Sequence, residues 1–259
     1  MSYNVNLFKL YSWSKSSPTY SNITNYINKN NFDVVCLQEF YVKEGKFTEE
    51  QAKAKLGMNS YIKYILKRQQ SGYGIAIFTK YPIINTGEII FENSFNSCIY
   101  ADILVNGDTI RIYNNHLQSI RLKERNFNFL LKSEFRNESN KYDELKDILS
   151  RVHNAFDKRA QQVDKVAKHI ASCKYPIILC GDFNDSPVSY TYKKLTQNLI
   201  DSYKEGGVGL VYTYAGLWPS YRIDYILHSP DFRAIHFFSP RIDYSDHYPV
   251  VTNYVFIKK

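Results

Sequence analysis

Apolar positions along the chain change their spacing repeatedly, and each change predicts a different element. The opening residues Tyr3-Asn4-Val5-Asn6-Leu7-Phe8 alternate with the period of a half-buried strand. Ser21 can cap a helix on which Ile23, Tyr26 and Ile27 fall at helical spacing, and Phe32-Asp33-Val34-Val35-Cys36-Leu37 comes next as a strand apolar on both faces. Segments near 59 to 67, 74 to 79, 82 to 91, 97 to 105 and 109 to 116 are rich in Ile, Tyr, Phe and Val. Turn signals at Ser71-Gly72, Tyr81-Pro82 and Asn106-Gly107-Asp108 separate them, which predicts a meander. From about 120 to 172 the period becomes helical, through Leu145, Ile148, Leu149, Val152 and Phe156, then Val163, Val166, Ala167 and Ile170. Tyr175-Pro176-Ile177-Ile178-Leu179-Cys180 reads as another buried strand, a helix is expected near Pro187, and strands over 221–227, 232–238 and 248–256 close the chain.

Many strands, with helices concentrated in a few places, predict two β-sheets packed face to face with helices outside rather than a doubly wound parallel sheet. No repeat or low-complexity linker interrupts the 259 residues, so a single domain over 1–259 is expected.

Composition narrows the class. An apolar fraction of 44%, an aromatic fraction of 16% and 23 Tyr against 11 Gly and 8 Pro exclude disorder and fibrous repeats. Lys and Arg number 33 against 25 Asp and Glu, and the net charge of +8 suits a phosphate-bearing partner, whether nucleic acid, nucleotide or anionic lipid. A host whose proteins are rich in Lys, Asn, Ile and Tyr would give the same surplus without functional meaning. Cys36, Cys98, Cys173 and Cys180 form no CxxC pair and read as free thiols, with Cys36 and Cys180 buried in strands. No run approaches the roughly 18 apolar residues of a membrane span, and no signal-type segment opens the chain, so as given it reads as soluble. It starts inside its first strand, which points to a domain trimmed from a longer protein; a naturally short chain is the alternative.

Candidate chemistry lies where strands end. Glu39 follows Val34-Val35-Cys36-Leu37-Gln38, His116 follows Ile110-Arg111-Ile112-Tyr113 across Asn114-Asn115, and Asp182 and Asn184 follow Ile177-Ile178-Leu179-Cys180-Gly181. Each polar group is expected at the C-terminal end of an apolar strand, where the framework is rigid and side chains can face a cleft. Asp224 and the pair Asp246-His247 sit at the margins of two further apolar runs. A buried carboxylate needs a partner, and an Asp beside an imidazole fixes its tautomer, so Asp224 is expected to orient His247. The carboxylates offer hard oxygen ligands for Mg²⁺ or Mn²⁺, and without a Cys/His cluster zinc is disfavoured. For any one of these residues alone, a turn, a cap or a satisfied core His is the more ordinary explanation.

Together they carry a resemblance. Leu37-Gln38-Glu39, Asn115-His116-Leu117, Gly181-Asp182-Phe183-Asn184-Asp185, Arg222-Ile223-Asp224-Tyr225 and Ser245-Asp246-His247-Tyr248-Pro249-Val250 resemble, in order, the motifs of the endonuclease/exonuclease/phosphatase superfamily. Ser2-Tyr3-Asn4-Val5 is similar to its first-strand motif, so the resemblance runs from residue 2 to about 256. Residues 74–82 and 213–222 are similar to a Bacteroidetes subgroup whose members often carry N-terminal membrane helices. The resemblance implies an α+β four-layer αββα sandwich of two packed mixed β-sheets flanked by helices, and a Mg²⁺-dependent phosphoester hydrolase. The charge and the Ser245–Val250 ending, which resembles deoxyribonuclease I, favour DNA or RNA as substrate; the membrane-anchored look of the subgroup favours a lipid or small-molecule phosphate ester. A catalytically dead module is disfavoured because every motif acid and His is present. No protein partner is implied and a monomer is expected.

The resemblance also assigns roles residue by residue. Glu39 matches the principal metal ligand, with Asp246 and Asn4 contributing. Asp182 and Asn184 match the pair that positions the attacking water, whose proton goes either to Asp182 or to the Asp224–His247 pair. His116 matches the residue that contacts phosphate or the leaving oxygen. Tyr73, Arg159, Trp218 and Arg222 are candidate substrate contacts, with ordinary packing the preferred explanation for the two aromatics. Arg159 and Gln162 have counterparts in the subgroup, although a solvated helix face is the preferred account of both.

Overall fold

Two mixed sheets face each other across an apolar layer, and their strands start and stop close to where the sequence changes period. The computed structural model describes residues 1–9, 19–120, 126, 138–215 and 222–257. The first sheet is built from β1 (Ser2–Asn4), β2 (Val34–Lys43), β3 (Asn59–Arg68) and β4 (Ser71–Thr79) in the order β1-β2-β4-β3. The second contains β5 (Ile83–Ile89), β6 (Ser97–Val105), β7 (Asp108–His116), β8 (Ile177–Asp182), β9 (Ile200–Asp201) and β10 (Asp224–His228) in the order β5-β6-β7-β8-β10-β9. A hairpin of β11 (Phe232–Phe238) and β12 (Val251–Phe256) completes the strands. The helices are α1 (Thr19–Asn30), α2 (Glu49–Leu56), α3 (Glu138–Ala171), α4 (Tyr190–Leu195) and α5 (Ser202–Gly206).

Three apolar layers hold these elements in the expected αββα order. Ile23 and Ile27 of α1 and Ala52 and Leu56 of α2 pack on the outer face of the first sheet. Cys36, Ile75 and Ile77 of that sheet meet Ile99, Ala101, Ile112, Cys180 and Ile226 of the second. Val163, Val166 and Ile170 of α3 and Tyr192 and Leu195 of α4 cover the far side of the second sheet. Each fully buried aliphatic or aromatic side chain contributes about 1.5–3 kcal/mol, so these layers set the register of the strands that carry polar groups. All four cysteines are free, with Cys173 half-buried and the others buried. Among the described residues no helix is long and apolar enough to cross a membrane.

The structure departs from the periodicity in several places. The first strand stops at Asn4, because Asn6, Leu7, Phe8 and Lys9 all take positive φ, between 43° and 54°. Each left-handed residue costs about 1–2 kcal/mol. Phe8 offsets part of that by burying its ring edge-on between Phe40 and Phe47. β2 does not end at Glu39: the residue sits at φ 52° in a bulge, and pairing with β4 resumes at Phe40. Ser21 lies inside α1 rather than at its cap, and α4 begins at Tyr190 behind the Ser189 cap rather than at Pro187. On α3, Ile148 and Val163 are buried, but Leu145, Leu149 and Phe156 are 47%, 59% and 50% exposed, so the apolar spacing there overstates the buried face.

Candidate active site

Strand register puts three polar groups side by side. In the second sheet His116 on β7 is level with Asp182 on β8, and Asp224 on β10 is level with Asp182 from the other side. The close approach of β7 and β8 here depends on Gly181, whose φ is +142° and where any Cβ would lie 1.9 Å from the Asn115 carbonyl oxygen. The first sheet adds Asn4 at the end of β1 and Glu39 at the bulge of β2, and β1 and β2 run parallel with Asn4 level with Gln38. The bulge re-aims one side chain: Gln38 spans the sheets to Asn114 Oδ1 and Ser2, while Glu39 turns to the centre.

Asn4 ties the two sheets together. Its amide nitrogen donates to Asp182 Oδ2 at 3.0 Å and to Glu39 Oε1 at 3.4 Å. His116 Nε2 lies 3.7 Å from Glu39 Oε1 and 3.9 Å from Asp182 Oδ2, a charge contact rather than a hydrogen bond. His247 Nδ1 meets Asp224 Oδ2 at 2.9 Å, which leaves Nε2 facing Asp182 Oδ2 at 3.8 Å. Asp224 Oδ1 is buried without a hydrogen-bond partner among the described residues. Asn184, at φ 51°, closes a turn by donating its backbone N–H to Asp182 Oδ1, and its amide donates to the Leu117 carbonyl. Asp246 is half-buried beside His247, and Ser245 Oγ donates to the Asn4 carbonyl.

Burial and crowded carboxylates together set the electrostatics. Desolvation, then the charge of Asp224, push Asp182 up to about 6. Burial works against a charge on His247, but Asp224, Asp182 and Asp246 outweigh it and hold the imidazole up at about 10. Near neutrality Asp182 is ionised and His247 protonated, so the centre holds a proton acceptor and a proton donor together.

Asn4, Glu39, His116, Asp182, Asn184, Asp224, Asp246 and His247 thus converge. Of the remaining candidates, Arg222, Arg159 and Gln162 are held by partners outside this set. Tyr73 lies on β4, on the face that Ile75 and Ile77 turn toward the second sheet, paired with Tyr41. Arg222 is buried in a bidentate ion pair with Asp201, at 3.0 and 2.6 Å, and its guanidinium lies over Tyr203 and Tyr225. Trp218 lies outside the described residues. Arg159 and Gln162 do not occupy a solvated helix face. Arg159 is 1% exposed and donates to Asp185 Oδ2 and the Gln118 carbonyl, while Gln162 takes the Gln118 amide proton and donates to Ser94. Thr213 opens the 213–222 run that resembles the Bacteroidetes subgroup but has no expected role, yet its hydroxyl accepts from the amides of Ile223 and Asp224 and so fixes the start of β10.

Comparison with known proteins assigns the chain's family and agrees with its fold. The chain belongs to the Endonuclease/Exonuclease/phosphatase family, whose sequence profile matches residues 1–247. Membership makes it a phosphoester hydrolase. Among curated proteins no sequence matches. Among solved structures, a mannosyl-6-phosphatase of Bacteroides thetaiotaomicron is 18% identical with TM-score 0.67, and 98% of each chain is covered. A humanized TDP2 of D. rerio is 15% identical with TM-score 0.70, covering 98% of this chain and 97% of that one. The catalytic domain of human Nocturnin, solved with a sulfate anion, is 18% identical with TM-score 0.68, covering 98% of this chain and 92% of that one. At these identities the likeness shows the shared fold.

Proposed function

We propose that the chain is a Mg²⁺-dependent phosphodiesterase acting on nucleic acid, with Mn²⁺ able to replace Mg²⁺. The observation that carries this reading is the convergence of Glu39, His116, Asp182, Asn184, Asp224, Asp246 and His247 from both sheets and the chain's last turn around one small volume. The charge of +8 supports a polyanionic substrate.

The donor set fits a hard divalent cation: carboxylates from several segments, an amide oxygen near them and no thiolate. Glu39, Asp246 and Asn4 would hold it. Asp182, Asp224 and His247 can also bring ligand atoms within 4.8 Å of one another. That trio is better read as acid–base machinery, because Nδ1 of His247 is engaged by Asp224 and its ring is held protonated. A bound Mg²⁺ would supply positive charge for the phosphate oxygens and the leaving oxygen.

The protein's own groups do the rest. Asp182, ionised at neutral pH and pinned by Asn4 and the Asn184 turn, accepts the proton of the attacking water. Protonated His247, kept in one orientation by Asp224, donates to a nonbridging oxygen. His116, beside Glu39 and Asp182, stands where it can meet the phosphate or the leaving oxygen.

A second reading rests on the likeness to the mannosyl-6-phosphatase over the full length of both chains: hydrolysis of a small sugar phosphate or another small phosphate ester, with phosphorylated lipid as a variant. Nicking of supercoiled plasmid at neutral pH with Mg²⁺, set against EDTA and His247→Ala, separates the two. Nicking abolished by both controls supports the nuclease. No nicking, with phosphate release from hexose 6-phosphates or phosphoinositides, moves the substrate to small or lipid esters.

A further inference from the structure

Residues 213–215 form a strap across the last two segments of the site. The Thr213 carbonyl accepts from Tyr248 N–H at 2.7 Å and Ala215 N–H donates to the Asp246 carbonyl at 2.7 Å, with Tyr214 bridged to His247 between them. Thr213 Oγ1 meanwhile holds the amides of Ile223 and Asp224. The backbone of Tyr214 is therefore fixed on both sides, against the same residues that carry Asp224 and His247.

The Tyr214 ring stands edge-on to the imidazole of His247, with centroids 5.1 Å apart and planes at 65°. Burial, then the charges of Asp246, Asp182 and Glu39, raise its phenol above the ordinary tyrosine range, so it stays protonated. Those three carboxylates come from three separate segments, and the ring packed against His247 places Tyr214 beside the same centre. The Tyr214 hydroxyl has no hydrogen-bond partner among the described residues. Its neighbours are engaged: the Asn4 amide with Asp182 and Glu39, and Nδ1 of His247 with Asp224. Tyr214 is half-buried, so its phenolic O–H is a donor held beside this centre and open to a ligand there.

We infer that Tyr214 is a further catalytic residue, whose hydroxyl donates a hydrogen bond to a nonbridging oxygen of the scissile phosphate while its ring keeps His247 aligned with Asp224. This rests on the hydrolase reading of the site, and it separates two duties, since Tyr214→Phe removes the donor and keeps the ring, whereas Tyr214→Leu removes both.

The test compares wild type, Tyr214→Phe and Tyr214→Leu in hydrolysis of bis(p-nitrophenyl) phosphate with Mg²⁺, in titration with inorganic phosphate and Mg²⁺ by calorimetry, and in thermal melts. Tyr214→Phe should lower kcat/KM on the order of 10²-fold, weaken phosphate binding and leave the melting temperature unchanged. Tyr214→Leu should in addition lower kcat below that of Tyr214→Phe, because the His247 ring loses the neighbour that keeps it aligned. Equal turnover and equal phosphate binding in Tyr214→Phe and wild type would overturn the donor role and leave the aromatic as packing. Phosphate binding by a wild type that hydrolyses no ester would count against the hydrolase reading while the Tyr214→Phe titration still decides the donor. Absence of both turnover and binding in wild type would remove both.

Discussion

At the scale of single residues the site is a balance between Asp182 and His247, and pH should tilt it in both directions. Asp182 acts ionised, and its carboxyl is pushed up to about 6, so kcat/KM should fall as pH drops through that value. His247 acts protonated, and its imidazole is held up at about 10, so activity should fall as pH climbs through that value. A pH–rate profile checks both limbs, and a plateau extending well below pH 5 would remove Asp182 from the role of base. Asp224→Asn tests the coupling: without that charge the His247 proton is held less tightly, so the alkaline limb should move down toward the ordinary histidine range and kcat at pH 8 should drop by roughly 10²–10⁴-fold. The seven polar residues are legible in the sequence because each lies in a run of distinctive neighbours. The roles of Tyr214 and Thr213 are not, although both lie in the 213–222 run that resembles the subgroup; those roles come from Tyr248, Asp246 and Asp224, which only the fold brings near.

Among the elements, α3 is the one whose role differs most from its pattern. Periodicity assigns its charged residues to solvent, yet Arg159 crosses to the loop after β8 and the segment after β7, joining Asp185 and the Gln118 carbonyl. Those partners lie 26 and 41 residues away in sequence, so no local spacing could reveal them. Desolvation depresses the guanidinium, and Asp185 holds its charge in place. Breaking such a pair leaves a mostly buried carboxylate uncompensated. Arg159→Met should therefore destabilise the fold by about 3 kcal/mol, read as a lower denaturant midpoint, and Asp185→Asn in the same chain should recover part of the loss. A midpoint unchanged in Arg159→Met would show that the bridge is not needed. The sheets themselves are legible because alternating and continuous apolar runs map directly onto one- and two-sided burial. The turn at Asn6–Lys9 and the bulge at Glu39 are not, because both put ordinary residues at positive φ, which composition does not announce.

For the whole molecule, sign is the puzzle: a chain of net charge +8 gathers Glu39, Asp182, Asp224 and Asp246 in one place. Of the described residues, His247 sits among them with its positive charge held in place, and the raised carboxyl of Asp182 is the mark of desolvation and of the Asp224 charge. A positive exterior draws an anion toward this centre, but the centre itself would repel it unless a cation intervenes. The same reasoning fixes how stability should respond. With its folded value raised, Asp182 weakens the fold as pH rises from the ordinary carboxylate range through about 6, and a divalent ion bound beside it should reverse that loss. At pH 8 a hundredfold excess of Mg²⁺ over its dissociation constant should stabilise the protein by about 2.7 kcal/mol, a rise of roughly 5–10 °C in Tm for a chain of this size. Near pH 5, where Asp182 carries its proton, the rise should shrink, and Glu39→Gln should abolish most of it at pH 8. Thermal melts in Mg²⁺ and in EDTA at matched ionic strength read this without any substrate, and a Tm at pH 8 indifferent to Mg²⁺ and Mn²⁺ would mean that the four carboxylates hold no such ion.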